Sequence, residues 1–384
     1  MILIYFDNAA TTYPKPQRVI GAVNRALREY GGNPGRSGHK MSIKAAAEVY
    51  KCRESAAKLF NVENVENIIF MLNCTAACNT VLKGLLKPGD HVVVSPFEHN
   101  AIMRPLHRLT KTMGVTYTIV NLKEYDDESV INGFREAIRD NSRLMICTHA
   151  SNVWGIRMPV ERLTALAHIY RMPIMVDAAQ SAGVLPINMS DSGIDYLCVA
   201  GHKGLYGPMG TGMLVASDLD RVESLTQGGT GSSSISFEQP EFSPDKFESG
   251  TPNLPGIAGL RAGIDTVSER GVQNIYQKEM FLFRRMYDNL SNIHGIKLYT
   301  PMPDSGFVPV ISFNIRDISS EEAAAKLSDR GVFVRGGLHC APLAHMHMGT
   351  EKSGTVRLSP SVFSTREEVE RASKIIADIS SKTV

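Results

Sequence analysis

Segments with helical periodicity alternate with short runs rich in β-branched residues along most of this chain, and that alternation narrows the possible folds more than any other feature. The spacing predicts helices over Gln17 to Tyr30, Ser42 to Phe60, Ala76 to Leu86, Asp127 to Asp140, Val160 to Tyr170, Ile257 to Glu269, Ser319 to Asp329 and Arg366 to Ser380, with a long one near 271–292. Between them the runs Ile68 to Met71, His91 to Val94, Thr116 to Val120, Leu144 to Cys147, Ile174 to Val176 and Tyr196 to Val199 read as strands. Strands apolar on both faces and separated by helices require a mostly parallel sheet covered on both sides. The fold class is α/β.

After about residue 215 the texture changes. The stretch from Gly228 to Asn253 (GGTGSSSISFEQPEFSPDKFESGTPN) is rich in Gly, Ser and Pro, and a loop of that length is either functional or a flexible excursion. The long helix beyond it leads toward a smaller unit with a strand candidate at Val308 to Phe313. With 384 residues the chain can bury sizeable cores without staples. Its 41 Lys+Arg against 39 Asp+Glu lack the basic excess that phosphate-backbone binding needs, so no nucleic-acid partner is expected. The opening run Met1 to Phe6 is too short for a signal-peptide core, and no stretch is long enough to span a membrane. Six sparse cysteines without a C-x-x-C pair fit a reducing compartment, so the expectation is a cytoplasmic protein with no membrane association.

Ala200 to Gly212 (AGHKGLYGPMGTG) sets one Lys among five glycines. Glycine admits close approach of a ligand, and a Lys shielded from water can form a Schiff base with a carbonyl. Asp177, in PIMVDAAQ, stands just past an apolar strand, where open α/β sheets place ligand-binding groups. A Lys for an aldehyde and an acid for a pyridine nitrogen are what pyridoxal phosphate requires, so Lys203 and Asp177 suggest that cofactor together. Thr75 and the first amides of the helix near Ala76, in NCTAA, could cradle a phosphate. His202 adds a donor beside the Lys, and His99, in FEHNA, could stack on a ring.

In VFVRGGLHCAPLAH, Cys340 follows a strand in a polar loop between Arg335 and His339, and nearby cations favour the nucleophilic thiolate. The other five cysteines read as buried packing residues. Arg357, in GTVRLSP, suits either a bidentate grip on a substrate carboxylate or a structural ion pair. His339, His345 and His347 raise the question of a metal; the last two would share one face of a strand, but no carboxylate or second Cys completes a ligand set, and no metal is expected.

From YFDNAATTYPKP at 5–16 to RLSPSVFST at 357–365, the chain resembles the class V aminotransferase group of fold-type I pyridoxal phosphate enzymes, in particular its cysteine desulfurase branch. The short RGGLHCAP context is similar to group II desulfurases, which include selenocysteine lyase-like members. The resemblance implies a large unit, 17–260, with a mostly parallel seven-stranded sheet, and a smaller α+β unit, 1–16 and 261–384, carrying the Cys340 loop. It implies that Lys203 binds the cofactor aldehyde, Asp177 pairs with the pyridine nitrogen, Gln180 approaches the ring oxygen, His99 stacks on the ring, and Thr75, Ala76 and His202 hold the phosphate. Thr251, in ESGTPN, resembles a residue that reaches the phosphate of a neighbouring subunit, which implies a homodimer with shared active sites. Asn152, in SNVWG, and Arg357 resemble the substrate carboxylate ligands. Arg335 and His39, the latter in NPGRSGH at the active-site mouth, complete the expected substrate contacts. Ala200 stands where many relatives have Ser, and Ala76 where an acid is common.

The implied activity is conversion of L-cysteine to L-alanine, with sulfur passing to Cys340 as a persulfide and on to a sulfur-acceptor protein. Lys203 would move the α-proton and His99 would handle a proton near the substrate sulfur. The alternative is a selenocysteine lyase acting on L-selenocysteine; another lyase or an aminotransferase on the same scaffold is more distant.

Overall fold

The computed structural model describes residues 3–35, 37–122, 124–301 and 306–383. Met1 and Ile2 of the opening run, and Arg36 of the NPGRSGH segment, lie outside the described residues. The strands in chain order are β1 (Ile4–Tyr5), β2 (Ile68–Met71), β3 (His91–Val94), β4 (Thr116–Ile119), β5 (Ser142–Thr148), β6 (Ile174–Asp177), β7 (Tyr196–Ala200), β8 (Gly212–Ala216), β9 (Ile296–Leu298), β10 (Ile311–Ile315), β11 (Val332–Phe333) and β12 (Val356–Leu358). Seven of them form the central sheet in the order β2-β8-β7-β6-β5-β3-β4. Pairing is parallel from β4 through β7 and antiparallel where β8 inserts between β7 and β2.

Alternate residues of the inner strands feed two separate cores. Leu197 and Val199 of β7 join Val93, Met145 and Val176 on one face, while Tyr196, Cys198 and Ala200 join Val92, Ile146 and Met175 on the other. A period of two with both positions apolar is the signature of a sheet covered by helices on each side. The parallel strands end at one edge, where β6 terminates in Asp177 and β7 runs into the Lys203 loop. Functional groups collect at such carboxyl ends because the helices leave a crevice there. A separate antiparallel sheet, β12-β10-β9, carries Arg357, and β1 pairs in parallel with β11 beside it.

β8 and the helix Asn100–Met113 escaped the sequence reading. β8 is a five-residue apolar run hidden behind the glycine-rich loop. The helix contains Pro105 and is capped by His99 rather than by a Ser, Thr, Asp or Asn signal. The strand expected at Val308 to Phe313 begins later, at Ile311, because the Val308 amide donates to Gly155 instead (2.7 Å). The helix expected to run to Asp140 ends at Ala137. Among the described residues, no helix is long and apolar enough to cross a membrane.

The stretch 228–253 contains no helix or strand. It is anchored at its end by Glu248, which accepts from the Phe70 amide (2.6 Å) and pairs with the buried Arg53 (2.5 Å), itself bonded to the Ile68 carbonyl. Replacing one partner of a buried pair leaves an uncompensated charge, which costs more than the pair contributes. Glu248→Ala should therefore lower unfolding stability by about 3–5 kcal/mol, whereas Arg53→Met combined with Glu248→Leu should lose less. Denaturant unfolding of the three proteins checks this, and equal losses in both variants would refute it.

Candidate active site

A cavity at the carboxyl edge of the central sheet is lined by Thr75, His99, Asn152, Asp177, Gln180, His202 and Lys203. Five different connections supply these residues, so the sheet, not local sequence, brings them together. Burial is the first cause lowering the Lys203 pKa, while Asp177 opposes it. More of the amine is neutral than an exposed Lys would allow, which is the state that attacks a carbonyl. Asp177 is buried, and its Oδ1 accepts from the Ala179 amide (2.8 Å).

The Lys203 loop is held by close backbone packing and by the N-terminal motif. A Cβ on Gly204 would lie 2.4 Å from the Ala182 carbonyl oxygen, and one on Gly183 would lie 2.3 Å from the Gly204 oxygen, so neither position has room for a side chain. The His202 carbonyl accepts from Lys15 Nζ (2.7 Å) and Thr11 Oγ1 (3.2 Å), and Thr12 Oγ1 donates to the Lys203 carbonyl (2.9 Å). The motif at 5–16 entered the sequence reading through resemblance alone; its bracing role needed the fold, since the partners are about 190 residues apart.

His99 caps the helix Asn100–Met113: its Nδ1 accepts from the Ala101 amide (3.0 Å), which places the proton of the neutral ring on Nε2. Burial lowers its pKa, so the neutral form dominates. Asn73 caps the helix Cys74–Leu85, and its side chain takes the Ala76 amide (2.9 Å). The Ala76 amide is thus committed to the cap and is not a free phosphate donor, a correction to the expected role of that residue. Gln180 Nε2 donates to the Ala9 carbonyl (2.9 Å).

Arg357 and Cys340 join this cavity through Asn152. Arg357 Nη1 donates to the Asn152 carbonyl (3.2 Å), and Asn152 Nδ2 donates to the His339 carbonyl (2.9 Å). The Arg357 guanidinium is 1% exposed and paired with Asp7 (2.8 Å), while its Nε is buried without a partner. The structural ion pair is therefore present, and Nε is left as a buried, unpartnered donor.

Cys340 is exposed and the other five cysteines are buried, as expected. Both His339 (φ 51°) and Cys340 (φ 57°) are left-handed, a conformation that costs a non-glycine residue about 1–2 kcal/mol. Hydrogen bonds hold it: the Asn100 amide donates to the Cys340 carbonyl (2.8 Å), beside the Asn152 bond to His339. Arg335 Nη2 lies 3.7 Å from Cys340 Sγ. His339 does not act as the second cation expected there. It is buried, its pKa is pushed down to about 2 by burial, and its ring bonds His345 (3.2 Å) and the Arg335 carbonyl (3.2 Å).

Other expectations also change. His345 and His347 lie on the helix Pro342–Met348, not on a strand; residues two apart on a helix point roughly 200° apart. His345 turns to His339 and Thr350, whereas His347 bonds the Tyr125 hydroxyl (2.5 Å). His39 caps the helix Lys40–Phe60 and does not line the cavity. Thr251 sits in a different depression with Leu72 and Asn253, bonded to Asn33 (3.1 Å). Sequence reading also missed Glu98, a fully buried carboxyl whose Oε1 accepts from Ser95 (2.5 Å) and the Thr148 amide (2.6 Å), with Oε2 unpartnered. Its place next to His99 was the available signal.

These residues suit pyridoxal phosphate. A buried amine of lowered pKa and a buried carboxylate share the cavity with His99, and His202 presents a buried, unpartnered Nδ1 beside Thr75. That donor set matches an aldehyde, a ring nitrogen and a phosphate.

Comparison with known proteins agrees. A probable cysteine desulfurase of Methanothermobacter thermautotrophicus is 33% identical over 386 residues, covering 98% of this chain and 94% of that protein. The apo structure of a cysteine desulfurase from Thermococcus onnurineus superposes with a TM-score of 0.91 at 30% identity, covering 99% of this chain and 95% of that one. A cysteine desulfurase of Escherichia coli gives 0.89 at 26% identity, covering 100% and 95%. The profile of the family described as aminotransferase class-V matches residues 4–372, and with this fold and this donor set the chain belongs to the class-V aminotransferase family, whose members depend on pyridoxal phosphate.

Proposed function

We propose that this protein is a pyridoxal phosphate-dependent cysteine desulfurase that converts L-cysteine to L-alanine and passes the sulfur through Cys340. The observation that carries the reading is an exposed Cys340 tied through Asn152 to both the buried Arg357 and the Lys203 cavity. An aminotransferase has no use for such a thiol.

Lys203 would hold the aldehyde, Asp177 the ring nitrogen, His99 the ring face, Gln180 the ring oxygen, and Thr75 with His202 the phosphate. The cofactor supplies an electron sink for the carbanion at the substrate Cα. Arg357 Nε and Asn152 take the substrate carboxylate, with Arg335 adding positive charge at the mouth. The Lys203 amine, neutral in good part because it is buried, carries the proton at Cα. Cys340 Sγ forms an S–S bond to the substrate sulfur as the Cβ–S bond breaks, giving a Cys340 persulfide and, after proton delivery, alanine. His99, in the cavity lining with Nδ1 taken by the Ala101 amide, would use Nε2 to handle the proton of the sulfur.

The unit holding the cofactor spans 17–260, and residues 1–16 with 261–384 form the unit that carries the Cys340 loop. Two copies would share sites: Thr251 lines a depression other than its own Lys203 cavity, and Ile235 and Phe237 are fully exposed apolar side chains that a second copy would cover. The exposed loop suits hand-off to a sulfur-acceptor protein, and free thiols throughout suit the cytoplasm. Selenocysteine lyase is the second reading, favoured by the short Cys340 loop, since a selenol leaves without needing the thiolate.

Cys340→Ala should keep the yellow cofactor and lose alanine and sulfide formation from L-cysteine by on the order of 100-fold or more. Activity retained with L-cysteine defeats the assignment; activity retained only with L-selenocysteine selects the second reading.

Burial raises the Glu98 pKa from 4.5 to about 8, so at neutral pH Glu98 is largely protonated. The folded state then holds a proton that the unfolded chain has released, so this group's contribution to stability falls as pH rises from about 4.5 to about 8 and is constant beyond. Glu98→Gln removes that loss and should gain a few kcal/mol relative to wild type between pH 5 and pH 8, at about 1.4 kcal/mol per pH unit. Denaturant unfolding at the two pH values measures it; parallel profiles would contradict a neutral Glu98.

A further inference from the structure

Around Asp177 lie three of the buried cysteines, of which Cys74 also lines the Lys203 cavity. Cys74 and Cys78 are one turn apart on the helix Cys74–Leu85, and Cys198 is the β7 residue paired in register with Asp177 on β6. All three belong to the core on one face of the sheet. Cys74 Sγ is 3.5 Å from Asp177 Oδ1, and the Cys74 and Cys78 sulfurs and an Asp177 oxygen lie within 4.8 Å of one another. An ionised carboxylate only accepts, so the proton between Cys74 and Asp177 is the thiol's. Burial and these neighbours push the Cys74 and Cys78 thiols well above their ordinary range, so both keep their protons.

We propose that Cys74 is a positioning residue for Asp177: its S–H and the Ala179 amide together fix Oδ1, leaving Oδ2 for the cofactor's ring nitrogen. This rests on the assignment of Asp177 to the ring nitrogen. A thiol is a weak, long donor, so it orients the carboxylate while withdrawing less negative charge than a hydroxyl would. These cysteines are therefore more than the packing residues that composition suggests.

Two measurements test it. In the apoprotein, infrared difference spectra between wild type and Cys74→Ser isolate the Cys74 S–H stretch; it should be shifted as in a strong thiol hydrogen bond and move back toward the unbonded position in Asp177→Asn. An unshifted band overturns the proposal. In the holoenzyme, Cys74→Ala should release cofactor about five- to tenfold faster than wild type, as expected for loss of one donor to a buried carboxylate, whereas Cys74→Ser, which keeps a donor, should stay within about twofold. Equal rates in all three proteins, or equal acceleration in both variants, overturn it. Borohydride reduction and peptide mapping keep the two readings apart: an adduct on Lys203 with unchanged release removes only the role of Cys74, while an adduct elsewhere removes the cofactor assignment itself.

Discussion

A guanidinium with 1% exposure has to be compensated inside the protein, and the way Arg357 is compensated decides how the rest of the site is put together. Its counter-charge, Asp7, comes from the N-terminal segment, its second partner is the Asn152 carbonyl, and its backbone pairs with that of Arg335. The segment carrying Asp7 then runs on to brace the Lys203 loop through Thr11, Thr12 and Lys15. Asn152 and Arg335 in turn reach the Cys340 loop. One buried cation thus connects Lys203, Arg335 and Cys340, although the bonded residues are up to 350 positions apart.

Burial also sets the charge pattern. Lys203, His99 and His339 are all shifted toward their neutral forms by removal from water, while Glu98 is shifted toward its protonated form. The Asp177 carboxyl lines the same cavity, and the Arg335 and Arg357 guanidinium groups reach it through Cys340 and Asn152. A zwitterionic amino acid fits that arrangement, with its carboxylate toward the arginines. The small net charge of the chain has the same sense, since recognition depends on a few placed groups rather than on a field over the surface.

The Cys340 loop is stiff for a related reason. Two successive left-handed residues are sustained by hydrogen bonds from Asn100 and Asn152 and by the stacked pair His339 and His345, whose rings lie 17° from parallel. His347, on the same short helix, packs into Phe97, Tyr125 and Trp154. The histidines that look like metal ligands in the sequence instead hold the thiol in place and in the open.

The sequence by itself determined the α/β class, because strands apolar at both alternating positions can exist only under two layers of helices. It also singled out Lys203, Asp177, His99 and Cys340, because glycine clustering, strand-end placement and polar loop context are local signals. Tertiary structure alone decided the insertion of β8, the commitment of Ala76 and His39 to helix caps, the neutrality of His339, the burial of Glu98 and the alignment of Cys74 under Asp177. Each of these depends on which distant groups surround a residue and on how far water is excluded from it. Neither property is written in a residue's neighbours along the chain.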